Sequence, residues 1–113
     1  MKKDFRVYLD DIIESCKKIN RYIKDVDYAT FESNEELQDA VLRRLEIIGE
    51  ATNRLPEEFK EQYSEIAWRK ATGMRNILIH MYDDVDFEIV WKTITEILPP
   101  FRKQIEELLQ KIS

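Results

Sequence analysis

Glycine and proline are scarce, with two and three residues in a chain of 113. A fold of short strands and tight turns, or a flexible linker, draws heavily on both. Their shortage therefore points to long helices. One cysteine, Cys16, leaves no internal disulfide to form. It falls on the apolar side of a helical pattern and reads as a buried packing residue, in keeping with a reducing cytoplasm. A single histidine, His80, leaves no second imidazole for a metal centre. The carboxylates of Glu57-Glu58 and Asp83-Asp84 read as helix-end charges, so neither metal nor cofactor is expected. No apolar run approaches the roughly 18–20 residues of a membrane span. The opening Met1-Lys2-Lys3-Asp4 is followed by mixed charged and apolar residues, without a signal-peptide core. An excess of cations is missing as well: the net charge is −5. General affinity for nucleic acid is thereby disfavoured, and any RNA site must be a local basic patch on an acidic body.

What is present fits one folded, soluble domain over residues 1–113, with 43% hydrophobic and 36% charged residues. Apolar residues recur at Phe5, Tyr8, Leu9, Ile12, Ile13, Cys16, Ile19, Ile23 and Val26. That three-and-four spacing predicts a first amphipathic helix ending before Tyr28. Ser33, with Glu36 three residues on, predicts the capping box of a second helix striped by Leu37, Val41, Leu45, Ile48 and Leu55. Pro56-Glu57-Glu58 has the chemistry of a short helix's first turn. A further helix is expected from Ser64 or Glu65 to about His80, with Gly73 tolerated inside it. Asp86 is the expected cap of a last helical region, which Pro99-Pro100 kinks or splits before Phe101, Ile105 and Leu108 continue the stripe. Nothing reads as a strand. The fold expected is an all-α antiparallel bundle of four to five helices.

Chemistry gathers in Arg75-Asn76-Ile77-Leu78-Ile79-His80-Met81-Tyr82-Asp83. An imidazole can take or give a proton at neutral pH. A guanidinium presents a planar fork of donors to phosphate oxygens and stabilises charge that builds up on them. The two together suffice to cleave RNA through attack by its own 2′-hydroxyl, without a metal. DNA, lacking that hydroxyl, should resist. On a straight helix Asn76 and His80 lie about 40° apart, whereas Arg75 and His80 lie roughly 140° apart. Either the helix unwinds near His80, or two copies of the site face each other across a dimer. The second arrangement is favoured, because it also pools two arginines.

The ordinary alternatives are concrete. His80 could serve only as a helix C-terminal cation. Arg75 could be a surface ion-pair partner, Asn76 a backbone hydrogen bonder, and Tyr82 a core-edge aromatic. Trp68 and Trp91 read as core residues before base-stacking platforms. Arg43, Arg44, Arg54, Arg69 and Lys70 are candidates for an RNA-facing patch, although cations on helices are usually just solvated.

Arg75-Asn76, then three residues, His80, one residue and Tyr82 resemble the signature of the HEPN superfamily, and within it the HepT family. Ile47-Ile48-Gly49-Glu50-Ala51, Leu55-Pro56-Glu57-Glu58, Trp68-Arg69-Lys70, Gly73-Met74-Arg75-Asn76 and Val90-Trp91 extend the likeness over nearly the whole chain. The resemblance implies a homodimeric, metal-independent endoribonuclease toxin encoded beside an MntA-like nucleotidyltransferase antitoxin. It implies that Arg75 and His80 act in catalysis; Asn76, which nearly shares a face with His80, is a candidate to orient it. It also implies that the antitoxin silences the site by adenylylating Tyr82. An anionic adenylyl group there would exclude RNA phosphate by charge and volume. Met81 departs from the pattern, standing where the family often has glycine. That departure and the acidic charge speak for the alternative, a non-catalytic module that binds RNA or nucleotide or partners the nucleotidyltransferase, whereas the intact Arg75–His80 pair favours the ribonuclease, since a binding module needs no titrating group.

Overall fold

The computed structural model describes residues 4–79 and 85–113, and the side chains of residues 4–73 and 85–113. Every regular element among them is helical: α1 (Arg6–Tyr22), α2 (Tyr28–Ser33), α3 (Glu35–Arg54), α4 (Glu57–Gln62), α5 (Trp68–Ile79), α6 (Phe87–Lys92) and α7 (Leu98–Ile112). Four long helical bodies, α1, α3, α5 and the run from α6 through α7, make the bundle, and α2 and α4 are short connecting helices. No helix among the described residues is long and apolar enough to cross a membrane.

α3 is the central element. α1 packs along one side of it and α5 along another, and α7 closes on α1. Two neighbours explain why α3 is buried over a wide arc that includes Val41, Leu42, Leu45, Ile48, Gly49, Ala51 and Thr52. α1 contributes the narrower stripe Leu9, Ile12, Ile13, Cys16 and Ile19. Phe31, Phe101, Ile94, Ile105 and Leu108 complete one continuous core. At roughly 25 cal/mol per Å² of apolar surface, such burial is the main force holding the helices together.

The boundaries differ from the sequence expectation in instructive ways. α1 stops at Tyr22, not after Val26. The chain leaves the helix through Asp25, which has φ 61°, a left-handed conformation that aspartate tolerates comparatively well. Ile23 and Val26 still pack against the core, but through a turn. Asp27 then caps α2 by accepting a hydrogen bond from the Thr30 N–H at 2.9 Å. Ser33 is not the cap of α3. Its hydroxyl donates back to the Ala29 carbonyl at 3.0 Å, within α2, while Asn34 accepts from the Leu37 N–H at 3.1 Å. Glu35 and Glu36 follow in the first turn of α3, where the helix dipole favours them.

Pro56 opens α4 as expected, and Asp86 opens α6, its carboxylate accepting from the N–H groups of Glu88 (3.0 Å) and Ile89 (3.3 Å). Pro99-Pro100 does divide the last helical region, and a wide turn makes the division. Thr93–Ile97 is a π-helical turn in which the Leu98 N–H reaches back to the Thr93 carbonyl. The two prolines, having no N–H to offer, then occupy the first turn of α7.

Candidate active site

α5 carries the candidate residues, and its start is fastened from two sides. Helical geometry begins at Trp68, later than the Ser64 or Glu65 expected from sequence, because residues 63–66 form turns. The Trp68 indole N–H donates to the carbonyls of Lys60 (3.1 Å) and Tyr63 (3.0 Å), tying α5 to the end of α4. Its ring meets Phe101 edge-on, with centroids 6.2 Å apart, which links the same point to α7. Trp68 is thus the buried residue expected. Gln104, on α7, adds a second clasp. Its carboxamide oxygen accepts from the Ala67 N–H at 3.3 Å, and its nitrogen donates to the Glu65 carbonyl at 3.1 Å. Further along, Ala71 is fully buried, and the Thr72 hydroxyl donates to the Trp68 carbonyl at 3.1 Å.

From this fastened start α5 runs to Ile79. Arg75 and Asn76 are backbone members of the helix, one residue apart in its second half. His80, Met81, Tyr82 and Asp83 lie outside the described residues. The chain is described again at Val85, half-buried against the core, and Asp86 starts the next helix.

The basic patch suggested by the sequence divides in two. Arg43 and Arg54, on α3, are engaged with carboxylates of their own helix: Arg43 with Glu46 at 3.4 Å and Arg54 with Glu50 at 2.8 Å. Arg44 is half-buried. Arg69 and Lys70, like Arg43 and Arg54, are exposed, and they stand on the first turn of α5. No carboxylate occurs anywhere between Trp68 and Ile79, so this helix bears Arg69, Lys70 and Arg75 without an acidic residue.

Elsewhere the structure bears out packing roles. Cys16 is buried, and burial pushes its thiol up to about 12, far from the range of a reactive thiolate. Trp91 is half-buried, its ring 5.3 Å from that of Phe31 and 6.1 Å from that of Tyr28, at the edge of the core. Sequence reasoning did not single out Gln104. Its signal was available, since it lies three residues after Phe101 and four before Leu108, on the core-facing side of α7.

Comparison with known proteins adds a family. The family described as Ribonuclease HepT-like matches residues 12–108. A protein of Caldanaerobacter subterraneus, named provisionally as an RNase, is 41% identical over 94% of this chain and 95% of its own length. Another so named, from Methanocaldococcus jannaschii, is 39% identical over 93% of this chain and 96% of its own. The "Probable ribonuclease HepT" of Thermococcus cleftensis is 39% identical over 96% of this chain and 98% of its own. No solved structure matches the chain significantly.

Proposed function

Because the chain belongs to the HepT-like ribonuclease family, we propose that it is an endoribonuclease with Arg75 and His80 as its catalytic pair. The observation that carries this reading is the family match, which runs over residues 12–108 and so includes both positions and the whole of α5. Two further facts support it: α5 bears only cationic charge, and its start is clasped by both α4 and α7. A site built on such an element can hold a phosphodiester in a fixed relation to its catalytic groups.

The reaction proceeds through the substrate's own nucleophile. His80 accepts the proton of a ribose 2′-hydroxyl as its oxygen attacks the adjacent phosphorus. Arg75 donates to the non-bridging oxygens as negative charge accumulates on them. The bond from phosphorus to the 5′-oxygen breaks, and that oxygen leaves with a proton delivered in return. The products are a 2′,3′-cyclic phosphate and a 5′-hydroxyl. No metal takes part in this scheme. Asn76 supports His80 from the preceding turn.

The working unit is a homodimer in which two copies line one cleft. It acts as the toxin of a toxin–antitoxin pair, and an MntA-like nucleotidyltransferase silences it by adenylylating Tyr82. The added phosphate would stand where substrate phosphate must enter, and repel it.

The test is incubation of the purified protein with cellular RNA in excess EDTA, beside His80→Ala and Arg75→Ala variants matched for fold and oligomeric state. Parent protein should leave cyclic-phosphate ends, and His80→Ala should lose about 10²–10⁴-fold in rate. Inactivity of parent protein shown by mass to be unmodified at Tyr82 would overturn the enzyme reading. The non-catalytic RNA- or nucleotide-binding module would then take its place.

A further inference from the structure

We propose that the face of α5 centred on Gly73 is a track for the RNA sugar–phosphate backbone, with Arg69 and Lys70 as its phosphate contacts. The inference rests on the ribonuclease reading and deepens it by naming where substrate flanking the cleaved bond is held.

Three observations converge on this face. First, glycine is the poorest helix former after proline, yet Gly73 stands in the interior of α5. Its φ is not positive, so no left-handed turn calls for it. A Cβ built there meets nothing within 4 Å, so tight packing among the described residues does not call for it either. Among the described residues nothing fills the space of that absent side chain, which leaves room there for a ligand.

Second, the charge that α5 itself sets beside that opening has one sign. On a helix of ordinary pitch Arg69 and Lys70 lie one turn earlier, about 40° to one side of Gly73 and 60° to the other. Both are exposed, and they bracket the opening. Asn76 lies one turn later, about 60° round on the side of Arg69. α5 is the only helix named above that contains no carboxylate, in a chain of net charge −5. A polyanion is the occupant whose charge this pattern fits. The stripe also leads to the end of α5 at Ile79, one residue before His80.

Third, the positive surface continues past Lys70. A groove of about 420 Å³ begins at Lys70 and Ala67 and crosses to α7, where it meets Lys103. Its lining includes the apolar Ile97, Pro100 and Phe101, with Glu107 the one carboxylate. Phosphates on the cations and a base against the apolar lining would suit a single strand.

The physical consequence is specific. A backbone phosphate drawn between Arg69 and Lys70 would pass close over the Gly73 backbone, and a methyl group at that point would lift it away. Gly73→Ala should therefore make the helix more stable and RNA binding weaker, a pairing that a structural role cannot produce.

The experiment measures binding of a fluorescein-labelled, single-stranded 2′-fluoro RNA, which lacks the nucleophilic hydroxyl, by anisotropy across a salt series. Proteins compared are the parent, Gly73→Ala, Arg69→Gln, Lys70→Gln, and Lys24→Gln as a control for charge lost elsewhere. Gly73→Ala should raise Tm by several degrees and weaken binding roughly fivefold to tenfold, the value of about one charge-assisted hydrogen bond. Arg69→Gln and Lys70→Gln should each flatten the slope of log K against log salt by about 0.7, and Lys24→Gln should not. Gly73→Ala binding within twofold of the parent overturns the proposal. So does a drop in its sedimentation mass from dimer to monomer, which would name a second copy as the occupant. A parent that neither binds nor cleaves RNA sinks the ribonuclease reading itself. A parent that cleaves normally, beside variants that bind normally, sinks only the track.

Discussion

The carboxamide oxygen of Gln104 accepts a hydrogen bond from the Ala67 N–H at 3.3 Å, joining α7 to the residue before α5 across 37 positions of sequence. The same side chain donates to the Glu65 carbonyl at 3.1 Å. One residue thus holds both a donor and an acceptor of the turn from which α5 starts, and with it the direction in which α5 carries Arg75.

Removing that clasp should loosen the turn more than it destabilises the protein. Gln104→Ala is expected to cost about 1 kcal/mol, since both bonds are partly open to water. Hydrogen exchange at the Ala67 amide should quicken about tenfold while amides of α1 keep their protection. Cleavage by the variant should slow with the Michaelis constant little changed. Unaltered exchange at Ala67 would show that the bond carries no load.

Trp68→Phe separates packing from hydrogen bonding at the same junction. A phenyl ring can still meet Phe101 and Phe59, but the Lys60 and Tyr63 carbonyls lose their shared donor. The expected loss is about 1–2 kcal/mol. It should appear as a lower urea midpoint at unchanged slope.

At the other end of the undescribed residues 80–84, Asp86 caps α6 through two backbone N–H groups. Asp86→Ala should cost about 1 kcal/mol and lower Tm by roughly 4 °C, and Asp86→Asn should restore most of it. Thermal melts of the two variants side by side decide the matter, because equal losses in both would indicate that the charge, not the cap, is what counts.

Cys16 should resist alkylation in the native state. With its thiol raised to about 12 by burial, iodoacetamide at pH 8 should label it only after denaturation. The folded value lies above the unfolded one of 9.0. Stability is therefore unaffected below pH 9 and declines between pH 9 and 12, where the unfolded chain ionises and the folded one does not. Rapid labelling of the folded protein at pH 8, or urea midpoints that hold steady through that window, would contradict this account.

Local chemistry was legible wherever a signal was complete within a few residues. Asp86 and Pro56-Glu57-Glu58 mark helix starts that the fold uses, and the stripes of α1, α3 and α7 are the core. The errors arose where two neighbouring residues could do one job, or where a pattern outlasted its helix. Ser33 and Asn34 both suit a cap, and Asn34 takes the role because the Ser33 hydroxyl is engaged with the end of α2. Ile23 and Val26 extend the spacing of α1, yet apolar side chains reach a core from a turn as well as from a helix.

The arginine, asparagine, histidine and tyrosine at positions 75, 76, 80 and 82 were legible as chemistry, because residue type and spacing suffice to suggest it. The all-α class was likewise settled by periodicity and by the scarcity of glycine and proline, since each acts on the backbone within a turn or two. Which of the candidate cations is partly covered was not: Arg44 is half-buried, while Arg43, Arg54, Arg69 and Lys70 are exposed. Nor was the clasp of Gln104 on Ala67, or the open space that the described residues leave above Gly73. Those depend on which helices lie side by side, and only the packing of the chain decides that.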